Sequence, residues 1–162
     1  MFRKSLSPAA LSARDVTGGP APSQLALGPS AHSDTFCRDN LPVAGQMPDF
    51  LLDRPEFQYP DYINAAVEMT GRMVERGYGD NTALIGNGRR RTYKELADWT
   101  NKIAHALVHD YGIVPGNRIL IRSANNPAMV ACWLAVMKAG AVAINTMPML
   151  RAGELGKIID KA

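Results

Sequence analysis

With 162 residues, 46% of them apolar and 20% charged, the chain is about one domain long and apolar enough to collapse around a core. Its formal charge is +3, from 18 Lys and Arg against 15 Asp and Glu, and the basic residues are scattered apart from Arg89, Arg90 and Arg91, so nucleic acid is not implied as a partner. The longest nearly uncharged stretch, 123–137, is interrupted by Asn and Pro and falls short of the ~20 apolar residues that a membrane span needs.

The chain opens with four prolines (Pro8, Pro20, Pro22, Pro29) and three glycines in its first thirty residues, which leaves little room for a regular element, and 1–29 is expected to be a disordered extension. Arg3, Lys4 and Arg14 precede the first acidic residue, Asp15, among several serines. That composition also suits a mitochondrial presequence. The two cysteines, Cys37 and Cys132, lie far apart, and Cys132 falls in an apolar helical pattern where it is expected to pack as a small core hydrophobe. A reducing compartment follows as the expectation: the cytoplasm, or the mitochondrial matrix if 1–29 is a presequence.

From 30 to 60, Pro42, Pro48, Pro55 and Pro60 are interspersed with single aromatics, a pattern that wraps a surface rather than building a core of its own. Between Asp61 and Arg76, Tyr62, Ile63, Ala66, Val67, Met69, Met73 and Val74 recur at helical spacing, with Gly77 and Gly79 as the stop. Two short strands, 81–85 and 90–93, flank Gly86, Asn87 and Gly88, and the Asn-Gly pair marks a hairpin turn rather than a nucleotide loop. Thr92 with Glu95 three residues on forms a capping box for a helix running to about Asp110. Leu96, Trp99, Ile103 and Leu107 make its apolar stripe, opposite Lys94, Asp98, Asn101, His105 and His109.

A strand is expected over 118–123, then a helix starting at Asn126 and Pro127, apolar nearly all round and ended by Gly140. The run 141–144 is continuously apolar, as in a parallel strand buried on both faces. Together these form a β-α-β crossover, and Leu155, Ile158 and Ile159 pattern one more helix. The fold class is therefore α/β, with a partial parallel sheet, a β-α-β crossover and flanking helices.

In open parallel sheets ligands lie beyond the carboxyl ends of the strands, which points to 123–126 and 145–148. Asn126 is explained by its cap, and Asn125 and Asn145 by turn chemistry. Lys138 before Gly140 sits at a helix C-terminus, where the backbone offers carbonyls, the wrong groups for phosphate. Successive residues on a strand face opposite ways, so the three arginines are not expected to converge. His105 and His109 share a helix face but have no third ligand of readable spacing, and no metal site is assigned. A flavodoxin-like cofactor module requires a phosphate loop after its first strand and finds none.

RTYKEL at 91–96 and MKAG at 137–140 resemble, in order and separation, the first two core motifs of the adenylate-forming superfamily of acyl- and aryl-CoA synthetases. The leader, SAHSDTF at 30–36, RDNLP at 38–42 and PDF at 48–50, together with NNP at 125–127, ACW at 131–133 and TMP at 146–148, is similar to 2-aminobenzoate-CoA ligases within the benzoate-CoA ligase group. The resemblance covers about 30–162, read as an incomplete N-terminal portion of the adenylate-forming large domain. It implies a two-step reaction: an aromatic carboxylate, 2-aminobenzoate or benzoate, attacks the α-phosphate of ATP with loss of pyrophosphate, and the thiol of coenzyme A then displaces AMP. ATP with Mg and coenzyme A are the implied co-substrates.

The family's Ser/Thr/Gly-rich phosphate loop, ribose-binding aspartate and C-terminal lysine match no position here, so no catalytic residue is carried over and these residues alone are expected to be inactive. The loop after the second motif lies near coenzyme A in related synthetases. The resemblance thus makes Met149 and Arg151 candidate coenzyme A rim residues, with Arg151 meeting a phosphate. A non-catalytic product that associates with a partner polypeptide through an open sheet edge is the alternative.

Overall fold

The computed structural model describes residues 28–48, 50 and 54–162. Almost all of the expected extension, 1–27, lies outside the described residues, as does Asp49 of the leader.

Ten elements follow in chain order: α1 (Phe36–Asp39), α2 (Ala65–Met69), α3 (Gly71–Met73), β1 (Thr82–Gly86), β2 (Arg89–Thr92), α4 (Tyr93–His109), β3 (Arg118–Arg122), α5 (Pro127–Lys138), β4 (Val142–Thr146) and α6 (Ala152–Ile159). Short 3-10 turns occupy Ala44–Gln46 and Pro55–Phe57, and a π-turn covers Val74–Tyr78. β1 and β2 pair antiparallel, whereas β3 and β4 pair parallel with Arg118 opposite Val142 and Arg122 opposite Thr146. α5 is the crossover between the parallel strands, packing on both of them and on α4.

The hairpin turn is built as its residues dictate. Asn87 and Gly88 both take positive φ (51° and 71°), the signature of a two-residue type I′ turn. At the start of α4 the capping box is complete: Thr92 Oγ1 accepts from the Glu95 N–H at 3.2 Å, and the Glu95 carboxylate accepts from the Thr92 N–H at 2.8 Å. α5 ends in a Schellman turn, with Gly140 at φ 76°, its N–H on Met137 O and the Ala141 N–H on Val136 O.

The core is the meeting of α2, α4 and α5. Ala66, Leu96, Ala131 and Leu134 are buried together, with Leu84, Trp99, Ile103, Val130, Trp133 and Met137 packed around them. Each fully buried leucine contributes about 1.5–3 kcal/mol.

Several sequence expectations are corrected. The helix expected from Asp61 begins only at Ala65, because Asn64 is its cap, its Oδ1 accepting from the Val67 N–H, and Tyr62 and Ile63 stay exposed. It then breaks at Thr70 (φ −124°, ψ −81°) before α3. On α4 the buried line runs through Leu96, Ala97, Thr100 and Ala104, while Trp99, Ile103 and Leu107 are half-buried. Small residues sit where two helices approach most closely, and the larger ones flank the contact. β4 starts one residue late, since the Ala141 N–H is spent closing α5. Both parallel strands are half-buried rather than covered on each face, and Asn145 is exposed. Cys132 is likewise half-buried instead of core, and Cys37 matches it; both are free thiols.

Candidate functional site

Because β3 and β4 run parallel and end level at Arg122 and Thr146, the segments that leave them, 123–126 and 147–151, emerge side by side. This is the sheet end at which parallel pairing leads one to expect a ligand crevice. On one side Asn126 starts α5: its Oδ1 accepts from the Met129 N–H at 2.9 Å and its Nδ2 donates to Ser123 Oγ at 3.3 Å. Ser123 Oγ in turn donates to Ala124 O at 3.0 Å. These partners are carbonyl and amide groups, so the hydroxyl has no base beside it and the arrangement is a cap, not a nucleophile.

On the other side the loop 147–151 carries both candidate rim residues. Met149 is 80% exposed, and Arg151 is an exposed N-cap of α6, its N–H held by the Glu154 carboxylate at 2.9 Å. The loop is fastened to the sheet by a residue that the sequence reading did not single out. Arg122, the last residue of β3, donates from one terminal nitrogen to Pro148 O at 2.7 Å and Leu150 O at 2.8 Å. An arginine closing an apolar strand was the available signal.

The opposite end of β3 is also locked by an arginine. Arg118 pairs with Asp34 at 2.6 Å, lies over the Phe36 ring at 4.2 Å, and its Nε donates to the Ala162 carbonyl. Asp34 further accepts from the Phe36 N–H at 3.1 Å and from Asn117 Nδ2 at 2.9 Å. The Phe36 N–H and then Asn117 hold the Asp34 carboxyl below its ordinary value; desolvation opposes them, and the Arg118 charge adds a smaller lowering. The Ser33 and Asp34 N–H groups both donate to Pro115 O at 3.0 Å. This end of the sheet is the seat of the leader, and none of these groups faces the crevice.

A third feature is a hollow of about 260 Å³ between the hairpin, α4 and the start of α5, lined by Gly86, Asn87, Arg89, Arg91, Trp99, Pro127 and Ala128. Arg91 lies over the Trp99 ring at 4.4 Å. Two of the three arginines therefore do converge, because alternate residues on a strand share a face. The His105 and His109 rings lie with centroids 4.1 Å apart, tilted by 36°, on the exposed face of α4. Among the described residues no group of three or more His, Cys, Asp and Glu is placed to hold a metal, and no described helix is long and apolar enough to cross a membrane.

The second motif is explained by one side chain far away in sequence. Asn64 Nδ2 donates to both Met137 O and Lys138 O at 3.1 Å, so the last carbonyls of α5 are satisfied while the same side chain caps α2.

This α/β arrangement recurs in known proteins. The N-terminal subdomain of Klebsiella oxytoca NpsA, solved with anthranilyl-AMSN, matches 60% of this chain and 25% of its own at a TM-score of 0.54 and 26% identity. A 3-hydroxybenzoate--CoA/4-hydroxybenzoate--CoA ligase of Thauera aromatica is 36% identical over 89 residues, 55% of this chain and 17% of its own length. A 3-hydroxybenzoate--CoA ligase of Aromatoleum sp. is 37% identical over 98 residues, 60% of this chain and 18% of its own. The chain thus spans less than a fifth of the length of these curated relatives. Residues 72–162, from α3 through the hairpin and the parallel pair to α6, match the family described as AMP-binding enzyme, and on that match the chain belongs to the AMP-binding, adenylate-forming family.

Proposed function

We propose that these residues form part of an ATP-dependent acid–thiol ligase that activates an aromatic carboxylate as its acyl-AMP and passes the acyl group to coenzyme A. The observation that carries this reading is the family match over 72–162, together with relatives that are themselves aryl-CoA ligases. Within that class we read the acid as 2-aminobenzoate or benzoate, on the resemblance of the leader at 30–36, 38–42 and 48–50 to 2-aminobenzoate-CoA ligases. Among the described residues no group of three or more His, Cys, Asp and Glu is placed to hold Mg, and no chemical step is assigned to a side chain of this chain. For coenzyme A the fitting element is the loop 147–151, where exposed Met149 offers an apolar surface and Arg151 a cation for a phosphate.

The test is to express the whole open reading frame and incubate the protein with ATP, Mg, coenzyme A and a panel of acids. The reading predicts an aryl-CoA thioester, detected by mass spectrometry, with 2-aminobenzoate or benzoate and not with acetate or hexanoate. A thioester formed only from aliphatic acids contradicts it.

A further inference from the structure

Arg122 contacts its loop in an unusual way. Its terminal nitrogen uses two hydrogens on two carbonyls, Pro148 O and Leu150 O, that bracket Met149. Both acceptors are backbone, so the contact fixes the path of the chain without occupying any side chain of the loop. The other hydrogen bonds of this segment are local: the Leu150 N–H reaches Met147 O at a long 3.3 Å, the Arg151 N–H meets the Glu154 carboxylate, and the Glu154 and Leu155 N–H groups donate to Arg151 O. Thr146, the residue just before, is the last of β4 and is paired with Arg122 in the parallel ladder, and its Oγ1 donates to Ile121 O at 3.4 Å. The bond from the sheet to 148–150 is therefore the guanidinium of Arg122, and charge-assisted donors of this kind are the stronger class of hydrogen bond.

We propose that Arg122 is a positioning residue for thiol-side binding: by holding the carbonyls on either side of Met149 it presents Met149 and Arg151 in one fixed arrangement to incoming coenzyme A. The inference rests on the reading of 147–151 as the coenzyme A rim. Its physical content is preorganisation. A loop already ordered by the strand end does not have to be ordered by the ligand, and the avoided cost of fixing the backbone of about one loop residue corresponds to about tenfold in affinity. Lysine at 122 keeps a charged donor but not the planar fork, so it should restore part of the hold.

The experiment is NMR on isotopically labelled protein from the whole open reading frame, as wild type, Arg122→Gln and Arg122→Lys, with amide hydrogen exchange measured first and coenzyme A titrated second. The expected result for Arg122→Gln is exchange at Leu150 and Arg151 faster by about tenfold with α5 unchanged, and coenzyme A saturation of the Met149 and Arg151 shifts at about tenfold higher concentration. Arg122→Lys should lie between wild type and Arg122→Gln in both. Unchanged exchange in Arg122→Gln overturns the proposal. So does faster exchange with unchanged coenzyme A affinity, which would leave Arg122 a structural tether only. Absence of any coenzyme A shift at 147–151 in the wild type instead overturns the rim assignment on which the proposal rests, while the exchange data still report whether Arg122 holds the loop.

Discussion

Asp34 and Arg118 are separated by 84 positions in sequence, yet their side chains meet at 2.6 Å, each about three-quarters shielded from solvent. The leader is therefore fastened to the amino-terminal end of β3, and the same strand fastens the 147–151 loop at its other end through Arg122. One strand ties an early segment and a late one to a single frame.

The Asp34 bond makes stability depend on pH with a definite sign. The folded carboxyl titrates below its unfolded value of about 3.9, so its contribution is fully present above that value and is lost as pH falls through the folded pKa. Asp34→Asn should lower the urea midpoint at pH 7, and the difference from wild type should shrink as pH is lowered below about 4. Equal differences at pH 7 and pH 3 would remove the charge from the explanation.

Gly116 is where the leader comes closest to the frame. Its φ is 94°, and a Cβ there would lie 2.0 Å from the Asp34 carbonyl oxygen, a backbone atom that cannot swing aside. Gly116→Ala should cost about 2–4 kcal/mol, strain plus displacement of the leader. Gly88, at φ 71° with open space around its Cβ position, supplies the comparison: Gly88→Ala should cost only about 1 kcal/mol, from backbone strain alone. Denaturant titration of both variants checks the ordering.

Thr100 is fully buried on α4, and its hydroxyl meets no hydrogen-bond partner in the structure. Replacing it by valine keeps the shape and removes the stranded polar atom. Thr100→Val should raise stability by about 1 kcal/mol, the desolvation cost of an unpaired hydroxyl. A loss of similar size would mean that the hydroxyl is paired in solution.

Much of this frame was legible because local chemistry decided it. Asn87 and Gly88 announced their turn, Thr92 and Glu95 their cap, and Asn126 with Pro127 the start of α5. What stayed hidden depends on distant partners. Nothing local to Asn64 says that its amide will meet the last carbonyls of α5 from 73 and 74 residues away, whereas its cap on the Val67 N–H is local, and the Asp61–Arg76 periodicity overran the helix by passing over that cap. The stripe on α4 keeps Leu96, with Trp99 and Ile103 against the core, but its centre shifts because hydrophobic size marks the flanks of a close helix pair, whereas Ala97, Thr100 and Ala104 mark its centre. At the crevice, position followed from parallel pairing, but Arg122 reads in sequence as an ordinary strand-end charge.

Charge reversal separates the two half-reactions of the proposed ligase. In protein from the whole open reading frame, Arg151→Glu should raise the KM for coenzyme A about tenfold while leaving aryl-adenylate formation within twofold, since the proposed rim role sets Arg151 against a phosphate of the thiol substrate alone. Steady-state kinetics with coenzyme A varied, alongside pyrophosphate release without coenzyme A, gives both numbers. Unchanged coenzyme A kinetics would exclude Arg151 from the rim.

The most direct test of the ligase assignment is acid-dependent exchange of labelled pyrophosphate into ATP, measured without coenzyme A on protein from the whole open reading frame. Exchange stimulated by 2-aminobenzoate or benzoate, and not by acetate, is the predicted result. Exchange with acetate and none with any aromatic acid would contradict it.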